Sequence, residues 1–218
     1  MIYVVKSIFA LYNANNKGLL ISSFDLKTFF DSEDIFDCMD ALYRRNVKGK
    51  IYRLLFNMNK NVRIQVKTAV GTTDPGDAGP TVAQGSVDSA PISSNSLDVG
   101  VEETFKEPEK EVKYKELSMN AAIYMDDILR MAESIENAQY GNDKIITMIN
   151  NKRLTLNLDK SSFIIMGLSK ARKKLSKGLE KTPLMLDGEL MKEVTALKYL
   201  GDYLGPDLQE SIHITVMK

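Results

Sequence analysis

The sequence predicts a mixed α+β domain whose sheet is largely antiparallel and packed on helices. Three observations carry that expectation. Apolar strand-like runs are interspersed with segments of helical period, without the regular strand-helix alternation of a parallel sheet. Two hairpin signals stand out: AAIYM and ILRMA flanking Asp126-Asp127, and PLMLDGELM with Asp187-Gly188 at its turn. The chain is 218 residues long, enough to bury a core of its own as one domain.

The elements follow in order. The opening run reads as strand-like and is interrupted by the turn signal NANNKG. LLISSFDL is a short apolar segment that reads as a buried strand ending near Asp25. From Asp34 to Val47, Ile35, Phe36, Met39, Leu42 and Tyr43 fall at helical spacing, with Ser32 as the expected N-cap. Beyond Gly49, Ile51, Leu54, Leu55 and Met58 continue an apolar helical face. VRIQVKT alternates strictly, which predicts a half-buried strand. The Gly- and Pro-rich stretch GTTDPGDAGPTVAQGS predicts a loop, and a helix is expected within SAPISSNSLDVG. The charged segment from Glu102 to Glu116 reads as a surface connection. The AAIYM–ILRMA hairpin follows, then a helix from Ile135 to Asn150. LTLNLD and SSFIIMG form a strand region, and ALKYLGDYLG closes the ordered part.

Composition narrows the chemistry. With Cys38 the single cysteine and His213 the single histidine, no internal disulfide framework, Cys-based zinc site or His-rich metal site is available. Ser-His catalysis is disfavoured for the same reason. Carboxylates, Lys, Tyr and Ser remain. No stretch of about eighteen apolar residues is present, so no membrane span is expected. The N-terminal run lacks the basic start and small-residue cleavage pattern of a secretory signal, and an intracellular location, in nucleus or cytoplasm, is expected. Formal net charge is zero, but basic residues dominate from Lys152 to Lys181, and Arg44, Arg45, Lys48, Lys50 and Arg53 form a second group. Solvated helix faces are the simplest reading of both.

Asp25 ends an apolar strand, and Asp126 and Asp127 sit at a hairpin turn between apolar strands. Taken alone they fit a strand-end cap and a polar turn. Brought together, three carboxylates repel one another unless a cation joins them. Mg²⁺ is the matching ion: it is hard, takes oxygen ligands and keeps positions for water and phosphate. Two such ions roughly 4 Å apart serve phosphoryl transfer by activating the attacking hydroxyl and stabilising the leaving group.

Five segments in order then resemble the palm motifs of reverse transcriptases, most closely those of non-LTR retrotransposons. FDLKTFFD resembles the first motif, AQGS the second, YMDD the third, LNLDKSSFIIMG the fourth and LKYLGDYLG the fifth, the primer grip. The resemblance spans roughly residues 20–205. It implies a polymerase palm and an RNA-directed DNA polymerase that adds dNTPs to a DNA or RNA primer on an RNA template, with two Mg²⁺ ions. Asp25 and Asp126 would bridge the ions, with Asp127 assisting. Phe30, five residues after Asp25, would be the steric gate against a ribose 2′-hydroxyl, although packing beside Phe29 also accounts for it. RNA-dependent RNA polymerases commonly carry an Asp at that fifth position. Here the acid, Asp31, comes one residue later, and a one-residue shift in a strand would turn it to the opposite face. Gln84 and Gly85 would contact the incoming nucleotide and template, and Tyr124 and Met125 the primer terminus. Lys160 would protonate the leaving pyrophosphate, a solvated lysine being the other reading.

The chain departs from the motif pattern at Ser86, where many members have Asp, and at Ala90, where Pro is usual. The expected layout is a single palm-centred domain over 1–218. Residues 1–19 would be a remnant leading in from the fingers, 20–205 would carry the motifs, and 206–218 would run toward a thumb. Fingers and thumb would be largely missing, with weak or absent activity for the chain alone. The second function the sequence leaves open is a catalytically inactive palm that binds nucleic acid or a protein partner.

Overall fold

The computed structural model describes residues 2–83, 86–107, 111–114, 117–119 and 121–206. Its centre is a five-stranded sheet. Strand β1 (Leu19–Lys27) lies in the middle. It is flanked by β4 (Thr155–Met166) on one side and by the hairpin of β2 (Ala121–Tyr124) and β3 (Asp127–Ala132) on the other. The spatial order is β5-β4-β1-β3-β2, where β5 (Lys192–Glu193) is a short parallel edge and every other pairing is antiparallel. The predicted α+β class with a mostly antiparallel sheet holds.

Strand alternation sends side chains to two cores. On one face Leu20, Phe24, Ile128, Phe163 and Ile165 pack against α5 (Ser89–Thr104) and α6 (Ile135–Asn151). On the other, Leu19, Ile21, Leu129, Met131 and Ile164 meet α1 (Ile2–Ala14) and the hairpin of β6 (Leu197–Tyr199) and β7 (Asp202–Leu204). A third cluster joins α3 (Ile35–Arg44) to Val82 and Ile92, with Tyr52, Leu55 and Phe56 of α4 (Gly49–Asn59) packed against it. Outside the main sheet, Asp187-Gly188 forms the expected hairpin turn, both residues at positive φ.

Four local expectations give way. The opening run is helix α1, not strand: Val5, Ile8, Phe9 and Tyr12 are buried at i, i+3, i+4 and i+7, so packing on the sheet overrides the run's β-branched character. VRIQVKT is not half-buried. It contributes two exposed ladders, Arg63–Ile64 with Gly76–Asp77 and Lys67–Thr68 with Gly71–Thr72, because no sheet lies beneath it; the segment expected as a loop supplies the partners. The N-cap of α3 is Asp34, whose Oδ1 accepts the Phe36 N–H at 2.8 Å, while Ser32 ends a four-residue helix, α2 (Phe29–Ser32). The charged connection after Glu102 is partly structural: α5 runs to Thr104, and Phe105 and Val112 are buried.

The basic groups behave differently from each other. Arg44 bridges Asp40 and Glu103, and Arg45 reaches Glu102 at 2.6 Å, so those two join α3 to α5. The 152–181 stretch becomes the end of α6, strand β4 and a helix, α7 (Ser169–Lys181).

Two buried polar groups fix how the helices meet the sheet. Arg130 of β3 donates through Nη1 to the Asn137 carbonyl at 2.7 Å, beneath the Phe105 ring. Gly141 makes room for it, since a Cβ there would lie 2.1 Å from Nη1. Burial pulls the Arg130 pKa down to about 10. Glu33, at the end of α2, is buried against α3 and α5 and accepts a hydrogen bond from the Cys38 thiol at 2.7 Å. Burial raises its pKa, opposed by Cys38, Lys152, Ser93 and Ser96.

That shift has a sign. The folded chain holds the Glu33 proton more tightly than the unfolded one, whose carboxyl titrates near 4.5. The stabilisation is therefore full below that pH and is lost as pH rises through the higher folded value. Glu33→Gln is expected to gain about 1 kcal/mol over wild type at pH 7 and nothing at pH 4. Urea midpoints for both proteins across that range check it, and a pH-independent difference would count against the assignment.

Candidate active site

The site grows from a register break. Ser23 of β1 pairs with Ser162 of β4, yet Asp25 pairs with Asn157. Between those pairs β1 has only Phe24, while β4 has the four residues Leu158 to Ser161. This bulge leaves the Asp25 N–H without a ladder carbonyl. The hydroxyl of fully buried Ser161 accepts it at 3.2 Å and itself donates to the Asn157 carbonyl at 2.8 Å. The Asn157 side-chain amide then donates to Asp25 Oδ2 at 2.9 Å. The three groups close a ring that sets both backbone and carboxylate of Asp25. Lys160, in the same bulge and largely exposed, places Nζ 3.9 Å from Asp25 Oδ2.

The other two acids arrive on the neighbouring hairpin. Phe24 pairs with Ile128 and Tyr124 with Asp127, so Asp127 falls at the same end of the sheet as Asp25. Both alternate in phase with Ile21 and Leu129, which places them on the face that also carries α1 and the β6–β7 hairpin. Met125 and Asp126 form the turn, with Met125 at φ +56°. A positive φ at the first loop position suits a two-residue hairpin and is costly for a side chain with a Cβ. It projects Asp126 beyond the last ladder pair, and exposed Tyr124 sits before it.

Electrostatics tie the acids together. Asp127 is held above the usual carboxylate range by burial, then by the charges of Asp126 and Asp25, with Lys198 pulling the other way. The phenol of Tyr199, buried on β6, is pushed up to about 12 by burial and by Asp127. The β6–β7 hairpin therefore borders the acids from the sheet face. A hard divalent cation suits three hard carboxylate donors whose mutual repulsion is already expressed at Asp127. As arranged here they are gathered at one sheet end without converging on a point: among the described residues no three His, Cys, Asp or Glu side chains surround a common position.

Phe30 follows on α2, half-buried, its ring 5.3 Å from that of buried Phe29. Thr28 makes the junction at φ +44°, a strained conformation for a β-branched residue. Because Phe30 and Asp31 lie in a helix, the one-residue step between them is a turn of about 100°, not the opposite face expected of a strand. Asp31 is exposed. Gln84 and Gly85 lie outside the described residues.

Sequence reasoning selected Lys160 and missed Asn157 and Ser161. Their signal is the polar run interrupting an otherwise apolar strand, the pattern of a bulge. Ser161→Ala would leave the Asp25 N–H without its acceptor in a half-buried position. It is expected to cost about 1–2 kcal/mol in chemical denaturation, and equal midpoints for variant and wild type would show that the hydroxyl carries nothing.

The sheet, with α5 and α6 on one face, α1 and the β6–β7 hairpin on the other and acids on a turn beside its central strand, is similar in architecture to a polymerase palm. The chain belongs to the family described as reverse transcriptase (RNA-dependent DNA polymerase), whose model matches residues 4–204. No curated protein matches it in sequence. Among solved structures it is similar to telomerase from Candida albicans in complex with a TWJ fragment of telomeric RNA, at TM-score 0.61 and 12% identity over 94% of this chain and 32% of the other. It is also similar to apo telomerase from Candida tropicalis truncated from the C-terminal domain, at TM-score 0.62 and 13% identity over 94% of this chain and 37% of the other. The chain thus spans about a third of the length of these telomerases, and at such identity the likeness is one of fold. Among the described residues no helix is long and apolar enough to cross a membrane.

Proposed function

We propose that this chain is the palm-centred domain, over residues 1–218, of an RNA-directed DNA polymerase from a retroelement of the non-LTR type, acting inside the cell. The observation that carries the reading is the gathering of Asp25, Asp126 and Asp127 at one sheet end, where the charges of Asp126 and Asp25 help raise the Asp127 carboxyl above its usual range. Asp25 and Asp126 would hold two Mg²⁺ ions, with Asp127 beside them. Ions bound there would supply Lewis acidity for nucleotidyl transfer from a dNTP to a primer 3′-hydroxyl, with pyrophosphate leaving. The chain's own residues position the partners. Asn157 and Ser161 orient Asp25, and Tyr124 and Met125 flank the primer end. Gln84 and Gly85 contact the nucleotide and the RNA template. Lys160, beside Asp25, gives a proton to the leaving pyrophosphate.

Phe30 sets the sugar preference. As the steric gate its ring would stand where an incoming 2′-hydroxyl would go, admitting deoxynucleotides and blocking ribonucleotides. Primer extension on an RNA template with dNTPs or rNTPs tests this. Phe30→Ala is expected to raise the relative use of rNTPs at least about tenfold, roughly 1.4 kcal/mol of discrimination. Unchanged discrimination would remove Phe30 from the site.

The second reading is a palm that binds nucleic acid without extending it. The exposed lysines of α7 favour it, since they need no catalytic acids. Mg²⁺-independent hybrid binding with no extension would select it.

A further inference from the structure

Helix α7 carries a segregated cationic face. Lys170, Lys173, Lys174, Lys177 and Lys181 are all exposed and fall within roughly 100° of arc. The opposite side is fixed to the protein. Leu175 and Leu179 pack on the core, Leu175 lies against Gly18, and Gly178 admits the Ile135 side chain so closely that a Cβ would lie 2.4 Å from it. The stripe therefore faces outward and runs about 16 Å, eleven steps of 1.5 Å from Lys170 to Lys181.

The arrangement works against the helix itself. The lysines stand at i, i+3 and i, i+4 from one another, where like charges repel. The first turn has no acid, the N-cap makes no side-chain bond, and Lys170 meets the positive end of the helix dipole. Nor is the charge used internally. Among the described residues none of the five forms an ion pair, whereas Arg44 and Arg45 are engaged by Glu103 and Glu102.

We propose that this stripe docks the phosphate backbone of a nucleic-acid duplex at a place separate from the acid site. Sixteen ångströms of duplex axis carries about five phosphates per strand at 3.4 Å each, which matches five lysines. A lipid surface fits less well, because the leucines of α7 are turned into the protein and cannot enter a membrane. The location is distinct. α7 follows β4 just after Met166, which pairs with Leu19, six residues along β1 from Asp25 and so about 20 Å away.

This inference rests on the nucleic-acid partnership proposed above but not on catalysis, so its test is run in EDTA. Binding of the full chain to a labelled 16-base-pair RNA–DNA hybrid is followed by fluorescence anisotropy from 50 to 300 mM KCl. Lys173→Gln, Lys174→Gln and Lys177→Gln are combined in one variant, whose fold is checked by thermal melting. Losing three phosphate contacts should lower the salt slope by about 2.7 and weaken binding at 0.1 M salt at least about tenfold. An unchanged slope in the triple variant overturns the α7 site alone. Loss of phosphatidylserine vesicle binding with hybrid binding intact overturns it in favour of a lipid. Absence of hybrid binding by wild type overturns both this site and the nucleic-acid partnership.

Discussion

Asp126→Ala lowers templated primer extension by at least about three orders of magnitude, equivalent to some 4 kcal/mol of transition-state stabilisation, while leaving the fold intact. The two halves of that expectation have separate causes. Asp126 lies on a two-residue turn beyond the last ladder pair and closes no core, so its removal takes no packing away. Its charge also raises the affinity of Asp127 for a proton, and the truncation relieves that repulsion. Thermal stability should therefore hold or rise slightly. Activity should collapse, because a proposed bridging ligand to the ions is gone. Asp127→Ala should cost less. Single-nucleotide extension rates beside melting curves check both halves. A variant that loses activity and stability together would point to a structural acid instead.

Phe24→Ala has the largest expected effect on the fold. Phe24 is fully buried, pairs with Ile128 and fills the core between the sheet and helices α5 and α6. Truncating a phenylalanine at such a site costs about 3–5 kcal/mol, transfer and cavity together. For a chain of this size that lowers the melting temperature by roughly 6–20 °C. Phe24 also faces the β4 bulge and immediately precedes Asp25. Extension should then fall further than the loss of folded protein explains, because the hydrogen-bonded ring of Asp25, Asn157 and Ser161 begins at the next residue. Phe24→Leu keeps most of the volume and should cost under about 1.5 kcal/mol. Urea titrations of the three proteins, with activity corrected for folded fraction, check this.

Much of the fold was legible because local and global signals agree. Asp187-Gly188, the Ile135 helix and the AAIYM–ILRMA hairpin each have the pattern and turn chemistry their place demands. The failures are where tertiary context decides. Val4 and Val5 favour a strand in isolation, but burial of Val5, Ile8, Phe9 and Tyr12 makes α1 helical. Val62, Ile64 and Val66 alternate as a buried strand would, yet no sheet lies beneath them. The helical pattern after Gly49 was right while its burial was not: Ile51, Leu54 and Met58 are exposed, and the same helix buries Leu55 only in part and Asn59 fully.

The site was legible through motif order more than through chemistry. Three acids in a sequence show no proximity. Strand pairing and the bulge bring Asp25 and Asp127 to one sheet end, and neither is readable from spacing. The orienting role of Ser161 depends on a register shift that brings together residues 136 apart in the chain, which no local pattern encodes. Glu33, placed in a core among serines and a thiol, is likewise visible only after α2, α3 and α5 are packed.

The most direct test of the account is single-nucleotide primer extension on an RNA template, comparing wild type with Asp25→Asn in Mg²⁺ and in EDTA. The account predicts a product from dNTPs that requires the template and the cation and is absent with Asp25→Asn. Product formed equally by Asp25→Asn, product formed in EDTA, or no templated product from folded wild type would contradict it.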